Sequence, residues 1–522
     1  MKQFRILTAM LVLIFLLTAC GSQQAEPNGT TDEMTVNAVE IGLSDSEITV
    51  DGFPAETSPD HRVYIGNDIV YYEAGKDFTY GEGSADDAHS AEAAAAHTVV
   101  HITEPGTYRL NGFLSKGQIA VDLGDEAESN PEAVVTLLLD GVNISCEVAP
   151  AIIFYNVYEC SSADTDGATK DVDTSLAGAN VIIADGTTNT VNGSYVARIY
   201  KPDSVVLNED GTEVEDAKKL HKYDAAFYSR MSMNVGGGSE SSGILTINAE
   251  NEGLDSELHL TINGGVIHIN SGNDGINTNE DGVSVTTVNG GELHIRVTGE
   301  SGEGDGIDSN GWLVINGGTV IAQACSFSAD AGIDSDMGIH INGGTVLATG
   351  HMLDRIEDGG QSYAVFSFAE KQKDTVCLKD ESGNSLFETD LNNDYSIMVY
   401  SGPDLTTGNY TLWCNGVQMV GQQGGMTGRP EMPDGAVLPE PPEGGFHDGT
   451  MPTEPHEGMT PPEDGNPFEG QLPPEGMERP EGGNPNGQWK PEQEHDGLRQ
   501  ESTTEFLIFE GGNMFQNISQ AE

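Results

Sequence analysis

Between Gly243 and Gly350, short bursts of alternating apolar and polar residues repeat, and this repeat sets the reading of the chain. An Ile/Val-Asn-Gly-Gly turn recurs at Ile262, Val288, Ile315 and Ile341, at spacings of 26, 27 and 26 residues. A second signature alternates with it: Gly253-Leu254-Asp255-Ser256, Gly275-Ile276-Asn277-Thr278, Gly306-Ile307-Asp308-Ser309 and Gly332-Ile333-Asp334-Ser335. Two places after each Gly-Gly pair stand Ile267, Leu293, Val320 and Val346, and four places after it Ile269, Ile295, Ala322 and Ala348. All are apolar, as the inward side of a strand requires. Between them lie His268, His294, Ile321 and Leu347, preceded by Val266, Glu292, Thr319 and Thr345, a mixed set suited to an outer face. Leu254, Ile276, Ile307 and Ile333 form a further apolar register. A leucine-rich repeat needs regularly spaced leucines, and a propeller blade is longer. Three short strands and three corners per period predict an all-β protein, a right-handed parallel β-helix whose equivalent positions stack about 4.8 Å apart.

Around this repeat the pattern changes. Strand-like runs stand at 47–50, 63–65 and 69–72, and a Gly/Ala/Asp-rich loop at 81–96. From His97 onward β-branched segments alternate with Gly, Asn and Asp turns, without helical period. Ordinary strands at 395–400 and 410–414 suit a cap over the end of the solenoid, which otherwise exposes its core. Residues 420–500 are rich in Pro, Gly, Glu and Met, with 15 of the 23 prolines between 421 and 500, and read as a disordered acidic excursion. Strand-like sequence returns at 504–510 and 513–518, within a final segment of 501–522. At the other end, Lys2 and Arg5 precede an apolar run, 6–17, and then Leu17-Thr18-Ala19-Cys20. This is a secretory signal over 1–19 with a lipobox, which makes Cys20 the lipidated mature N-terminus, 20–40 a flexible tether and 41–419 the β-helix with its caps.

Charge narrows the function. The chain carries 84 acidic against 22 basic side chains, a formal net charge of -62, and such a surface repels nucleic acid and anionic lipid. The remaining uses are solubility outside the cell and coordination of divalent cations. Stacking the repeats sets Asp255, Asn277, Asp308 and Asp334 in one line, with Glu252, Asp274 and Asp305 just before the glycines, and Asp330 and Asp336 flanking the fourth signature. Two carboxylates about 4.8 Å apart repel by roughly 3 to 4 kcal/mol at a surface-like dielectric. Calcium, which accepts several carboxylate and carbonyl oxygens, would offset that; the alternative is that these are corner residues bonding turn backbone. A separate acidic loop with Asp164, Asp166, Asp171 and Asp173 around Gly167 only faintly resembles a calcium loop, since it lacks flanking helices. Five cysteines follow Cys20: Cys146 and Cys160 could bridge, while Cys325 and Cys377 fit a core. Without a Cys-x-x-Cys pair, neither zinc nor thioredoxin-like chemistry is supported. For contact with sugar rings the candidates are Tyr223, Tyr228, His268, His294 and Trp312, each of which could equally be a packed or solvated side chain. A polysaccharide lyase would need a Lys or Arg base, and the repeat region offers only Arg296, with Arg355 just beyond it. No Gly-x-Ser-x-Gly elbow or phosphate loop is present.

The segments 101–112 (HITEPGTYRLNG), 137–142 (LLLDGV) and 183–190 (IADGTTNT), followed by the Gly-Ile-Asp-Ser and Asn-Gly-Gly repeats, resemble a bacterial carbohydrate-binding β-helix family. That family was long catalogued as a domain of unknown function and includes a cell-surface protein binding cellulose and acidic sugars. The likeness runs from about Val39 to Ile518. It implies a pectate-lyase-like solenoid, calcium held by acidic corners at Glu252, Asp255, Asp274, Asn277, Asp305, Asp308 and Asp334, and binding of polygalacturonate or cellulose. Ala331, in place of an acid in the fourth repeat, and the enlarged loops around Asp164 and from Lys201 to Lys222 depart from it. The first reading is a non-catalytic, calcium-bearing polysaccharide-binding lipoprotein on the extracellular face of the cell membrane. The rivals are a calcium-dependent polysaccharide lyase and an envelope or adhesion scaffold.

Overall fold

The computed structural model describes residues 37–299, 304–424 and 502–521. The signal segment 1–19, Cys20, the tether up to residue 36 and the acidic excursion from residue 425 lie outside the described residues. Within them the fold is all-β: the strands are accompanied by a single α-helix, Ala91–Ala95, and two short 3-10 turns.

Most strands join one of three parallel ladders, each with coils in register. The first runs through Gly106–Leu114, Val135–Cys146, Ala179–Ile183, Met233–Gly237, His259–Ile262, Val285–Val288, Trp312–Ile315 and Gly338–Ile341. The second stacks Thr188–Gly193, Ile244–Ala249, Val266–Ser271, Glu292–Val297, Thr319–Gln323 and Thr345–Gly350. The third stacks Thr98–Ile102, Gly117–Asp122, Ile152–Asn156, Ala225–Ser229, Glu252–Ser256 and Ile276–Thr278, and single bridges extend it to Ile307 and Ile333. The chain visits the ladders in turn, so each coil contributes one inward row to a continuous core. Ile267, Leu293, Val320 and Val346 are buried on the second ladder, and Leu254, Ile276, Ile307 and Ile333 on the third. Each such aliphatic side chain adds about 1.5–3 kcal/mol on burial.

The corners explain the repeated polar letters. In the Asn-Gly-Gly turn the second glycine, Gly265, Gly291, Gly318 or Gly344, has φ between 79° and 89°, where a side chain is strained. The asparagine before it joins a ladder: Asn289 Nδ2 donates to Asn263 Oδ1 at 2.9 Å, Asn316 to Asn289 at 2.9 Å and Asn342 to Asn316 at 2.8 Å. In the Gly-Ile-Asp-Ser signature the glycine lies against the neighbouring coil. A Cβ on Gly306 would stand 2.3 Å from the Gly332 carbonyl oxygen and 2.9 Å from Ala322 Cβ.

Beyond the last coil the pairing is antiparallel except between Tyr363–Asp380 and Gly512–Gln520, which run parallel. Ser385–Ser401 pairs with Thr345–Gly350 and with Tyr363–Asp380, and the strands Gly408–Cys414, Val417–Gln423, Phe506–Ile508 and Gly512–Gln520 complete this end. It has its own core, built on Phe366, Tyr395, Phe506 and Phe515. Leu347, on the outer side of the second ladder, is buried because this unit packs over it.

Three expectations are corrected. Residues 69–72 form no strand; Ile69 and Tyr72 are buried as side chains, but no neighbouring strand takes up their backbone. The 81–96 loop holds the short helix, whose start is capped by Ser90 Oγ accepting from the Ala93 N–H at 3.1 Å. All five described cysteines are free thiols. Cys146 ends a strand with its side chain in the core, whereas the Cys160 sulfur lies against the Asp173 carbonyl.

Packing at the corner glycines yields a mutational contrast. Gly306→Ala should cost about 1–3 kcal/mol in chemical denaturation through overpacking. Gly236→Ala, where the nearest atom to the new Cβ is 3.9 Å away, should stay within about 0.5 kcal/mol of the parent. Equal effects at the two sites would refute the close coil contact.

Candidate functional site

The outer face of the third ladder forms an open cleft of about 1010 Å³. Its floor comes from successive coils: His101, then Gln118, Ala120 and Asp122, then Tyr155 and Asn156, then Tyr228 and Arg230, with Glu257, Asn279 and Asn310 at the far end. One wall is the antiparallel hairpin of Val196–Tyr200 and Lys219–Tyr223, part of the enlarged loop noted in the sequence. This hairpin is tied to the N-terminal loops by the Arg198–Glu82 ion pair at 2.9 Å, the Gly81–Ile199 bridge and the Tyr195–Asp87 hydrogen bond. In a chain with so few cations, Arg198, Lys219, Lys222 and Arg230 meet here, with His101 and His221.

Beside the cleft the acidic line separates into three kinds of residue. Asp274, Asp305 and Asp330 bond corner backbone: Asp274 accepts from the Asp305 N–H at 2.7 Å, Asp305 from the Ala331 N–H at 2.6 Å and Asp330 from the Gly304 N–H at 2.6 Å. For these three, the corner alternative weighed in the sequence describes the contacts found. Ala331 ends the series, since the next segments belong to the antiparallel end.

Glu252, Asp255 and Asn277 differ. Asn277 Nδ2 donates to Glu252 Oε1 at 3.3 Å, and Asn279 Nδ2 to Asp255 Oδ1 at 2.9 Å. Their other oxygens, Glu252 Oε2, Asp255 Oδ2 and Asn277 Oδ1, are buried without a hydrogen-bond partner. Burial, compounded by neighbouring carboxylates, pushes Glu252 and Asp255 well above the usual carboxylate range. Unpaired buried oxygens are costly, and a hard cation is the partner that such oxygens suit. Among the described residues no three His, Cys, Asp or Glu side chains converge as a ready metal site; here two carboxylates neighbour one amide, Asn277, which is paired with Asp255 and bonded to Glu252.

The third kind is Asp308, Asp334, Asp336 and Asp354. Burial first, then Asp274, brings Asp308 to about 7, and burial with Asp354 brings Asp334 to about 8. Asp354, absent from the sequence candidates, accepts from the Ser335 N–H at 3.1 Å. Its approach reflects the chain's turn out of the last coil, which no local pattern signals.

The sugar-contact candidates are not brought together. Tyr223 and Tyr228 border the cleft but are 5% and 1% exposed; they pack edge to face with each other, Tyr223 also with Tyr155, and Tyr228 donates to Glu257. Of the two alternatives weighed for these tyrosines, packing describes the contacts found. His268 and His294 stack on each other, with centroids 5.0 Å apart, on the second ladder, and Trp312 belongs to the first. The two arginines considered as bases also lie elsewhere: Arg296 donates to Asn393, and Arg355 pairs with Glu357. In the acidic loop Asp171 pairs with Lys170 and Asp173 accepts from the Ser175 N–H. Sequence reasoning missed Arg198, Lys219, Lys222 and Arg230; the lysines of the 201–222 loop were the available signal.

The raised carboxylates set a pH dependence for the metal-free protein. Asp308 and Asp334 hold protons when folded at pH values where the unfolded chain, near 3.8, has released them. Folded stability therefore rises as pH falls from 8 towards 6.5. Buried His259, lowered from 6.5 to about 4, acts in the opposite sense below 6.5. In chelator, Tm should climb between pH 8 and 6.5, and Asp334→Asn should flatten that climb. A parent Tm that is level or falling over this window would refute the protonated cluster.

Residues 96–353 match the family model described as carbohydrate-binding domain-containing protein. A carbohydrate-binding domain-containing protein of Acetivibrio thermocellus is 31% identical over 172 residues, 33% of this chain and 44% of that protein. The match thus spans less than half of that relative's length. Among solved structures, a polysaccharide lyase-like protein from C. thermocellum, in a gadolinium derivative, is 20% identical with a TM-score of 0.33, over 59% of this chain and 90% of that one.

Proposed function

We propose that this chain binds extracellular polysaccharide in the cleft along the third ladder, without cutting it, and with calcium held at Glu252, Asp255 and Asn277. The observation that supports the reading most is the juxtaposition of an open cleft bearing Arg198, Lys219 and Arg230 with buried oxygens that lack a partner. The basic groups are suited to sugar carboxylates and hydroxyls, and calcium supplies a charge that bridges acidic protein to acidic sugar. Acidic glycans such as polygalacturonate are therefore the first ligands to test, with cellulose the neutral comparison. The similarity of 96–353 to carbohydrate-binding domains agrees with this assignment. The three ladders and their repeat of 26 to 27 residues support naming the body a right-handed parallel β-helix. The lipobox supports anchorage through Cys20 at the outer face of the cell membrane.

One observation favours a second reading. The basic side chains that a lyase needs, scarce in the repeats, are supplied to the cleft by the hairpin and by Arg230. Calorimetric titration of the full chain with polygalacturonate and with cello-oligosaccharides, in calcium and in chelator, separates the readings when the mixtures are also followed for the ultraviolet absorption of unsaturated products. Calcium-dependent binding without products is expected, with affinity about tenfold weaker in Arg230→Ala from loss of a charge-assisted contact. Accumulating products would replace binding by lyase activity, and no uptake of either glycan would leave a scaffold role.

A further inference from the structure

The acidic cluster already has one cation beside it. Lys222 lies near the end of Lys219–Tyr223, the hairpin strand that returns along the cleft wall. Its Nζ is 2.5 Å from Asp224 Oδ2, and 37% of the lysine side chain is exposed against 10% of the aspartate. Asp224 sits directly under the cluster: its carbonyl accepts from the Glu252 N–H at 3.1 Å and from Asn251 Nδ2 at 3.0 Å, and the next residue, Ala225, is paired with Glu252. The Lys222 ammonium is thus held on Asp224 at the edge of the cluster, and Asp224 first, then Glu252 and Asp255, favour its charge against the cost of its burial. Glu252 Oε2 and Asp255 Oδ2 still have no hydrogen-bond partner, so the ammonium puts a positive charge beside them without filling their coordination.

We propose that Lys222 is a tethered competitor of the divalent ion: paired with Asp224, it places a positive charge beside Glu252 and Asp255 in the metal-free protein and swings into the cleft when calcium enters. The inference rests on the calcium site proposed above. Lysine suits the role because its charge is a point on a flexible four-carbon stem, free to leave without breaking a two-pronged contact. Its exit path is the cleft that it already lines. Linkage makes the effect reciprocal: an anionic sugar that attracts the freed ammonium favours calcium, and calcium favours the sugar.

The test is calcium chloride titrated calorimetrically into the full chain and into Lys222→Met, Lys222→Gln and Lys222→Arg. Removing the charge should tighten calcium about tenfold in the Met and Gln variants, while Arg, which keeps the charge and can hold Asp224 by two prongs, should not tighten it. The Gln variant keeps a polar stem in case Met disturbs folding. Tryptic cleavage at Lys218 and Lys219 should speed up on adding calcium to the parent and be indifferent to calcium in the Met and Gln variants. Affinity unchanged or weakened without the ammonium overturns the competitor while leaving the calcium site standing, as does cleavage that ignores calcium in a parent that binds it. Absence of calcium uptake in every protein removes the site itself, and the competitor with it.

Discussion

Everything in this molecule depends on the backbone pairing of each coil with the next, in a register broken only by local shifts near Leu110 and Val121 in the first coils. A strand alternates its faces with period two, so a slip by one residue would turn each inward Ile, Leu and Val to water. The second ladder shows how strictly this holds: Ile267 pairs with Leu293, Leu293 with Val320 and Val320 with Val346, with no break. The apolar rows hold the register from within, and the amide ladder from Asn263 to Asn342 holds it at the corner. Asparagine suits that place because its amide both donates and accepts, so one residue type can stack on itself without limit.

The same stacking that makes the core also brings like charges together. Repeating an acid at one corner puts carboxylates one strand spacing apart, and the structure meets this in different ways along one line. Asp274, Asp305 and Asp330 bond backbone N–H groups, burial raises Asp308 to about 7 and Asp334 to about 8, and Glu252 and Asp255 have two amides and Asp224 with its lysine as neighbours. The result is a graded line: carboxylates that serve the corners have their hydrogen bonds, whereas at Glu252 and Asp255 an oxygen is left without a partner.

What the sequence discloses is what repeats. The inward rows, the positive-φ glycines and the acidic line all follow from counting, because each coil tests the reading made on the one before. The cleft is much less legible. Its wall is an insertion that occurs once, and its floor draws single residues from coils as far apart as His101 and Asn310. The packing of the tyrosines is hidden for a related reason: Tyr223 and Tyr228 come from the hairpin and the ladder respectively, and both are buried where they meet. Chemical type names candidates, whereas exposure depends on partners distant in the chain.

The corner amides have a consequence for how such a protein can change in length. Because Asn263, Asn289, Asn316 and Asn342 make the same bond to a like neighbour, any one coil can be removed or duplicated whole and the amides on either side meet again. A change of a residue or two has no such remedy, since it dislocates three ladders at once. The body is therefore modular in steps of one coil. The hairpin wall is the exception, being tied to the N-terminal loop that carries Tyr80, so additions are cheapest downstream of the cleft, where further parallel strands extend the outer face without disturbing the cleft wall.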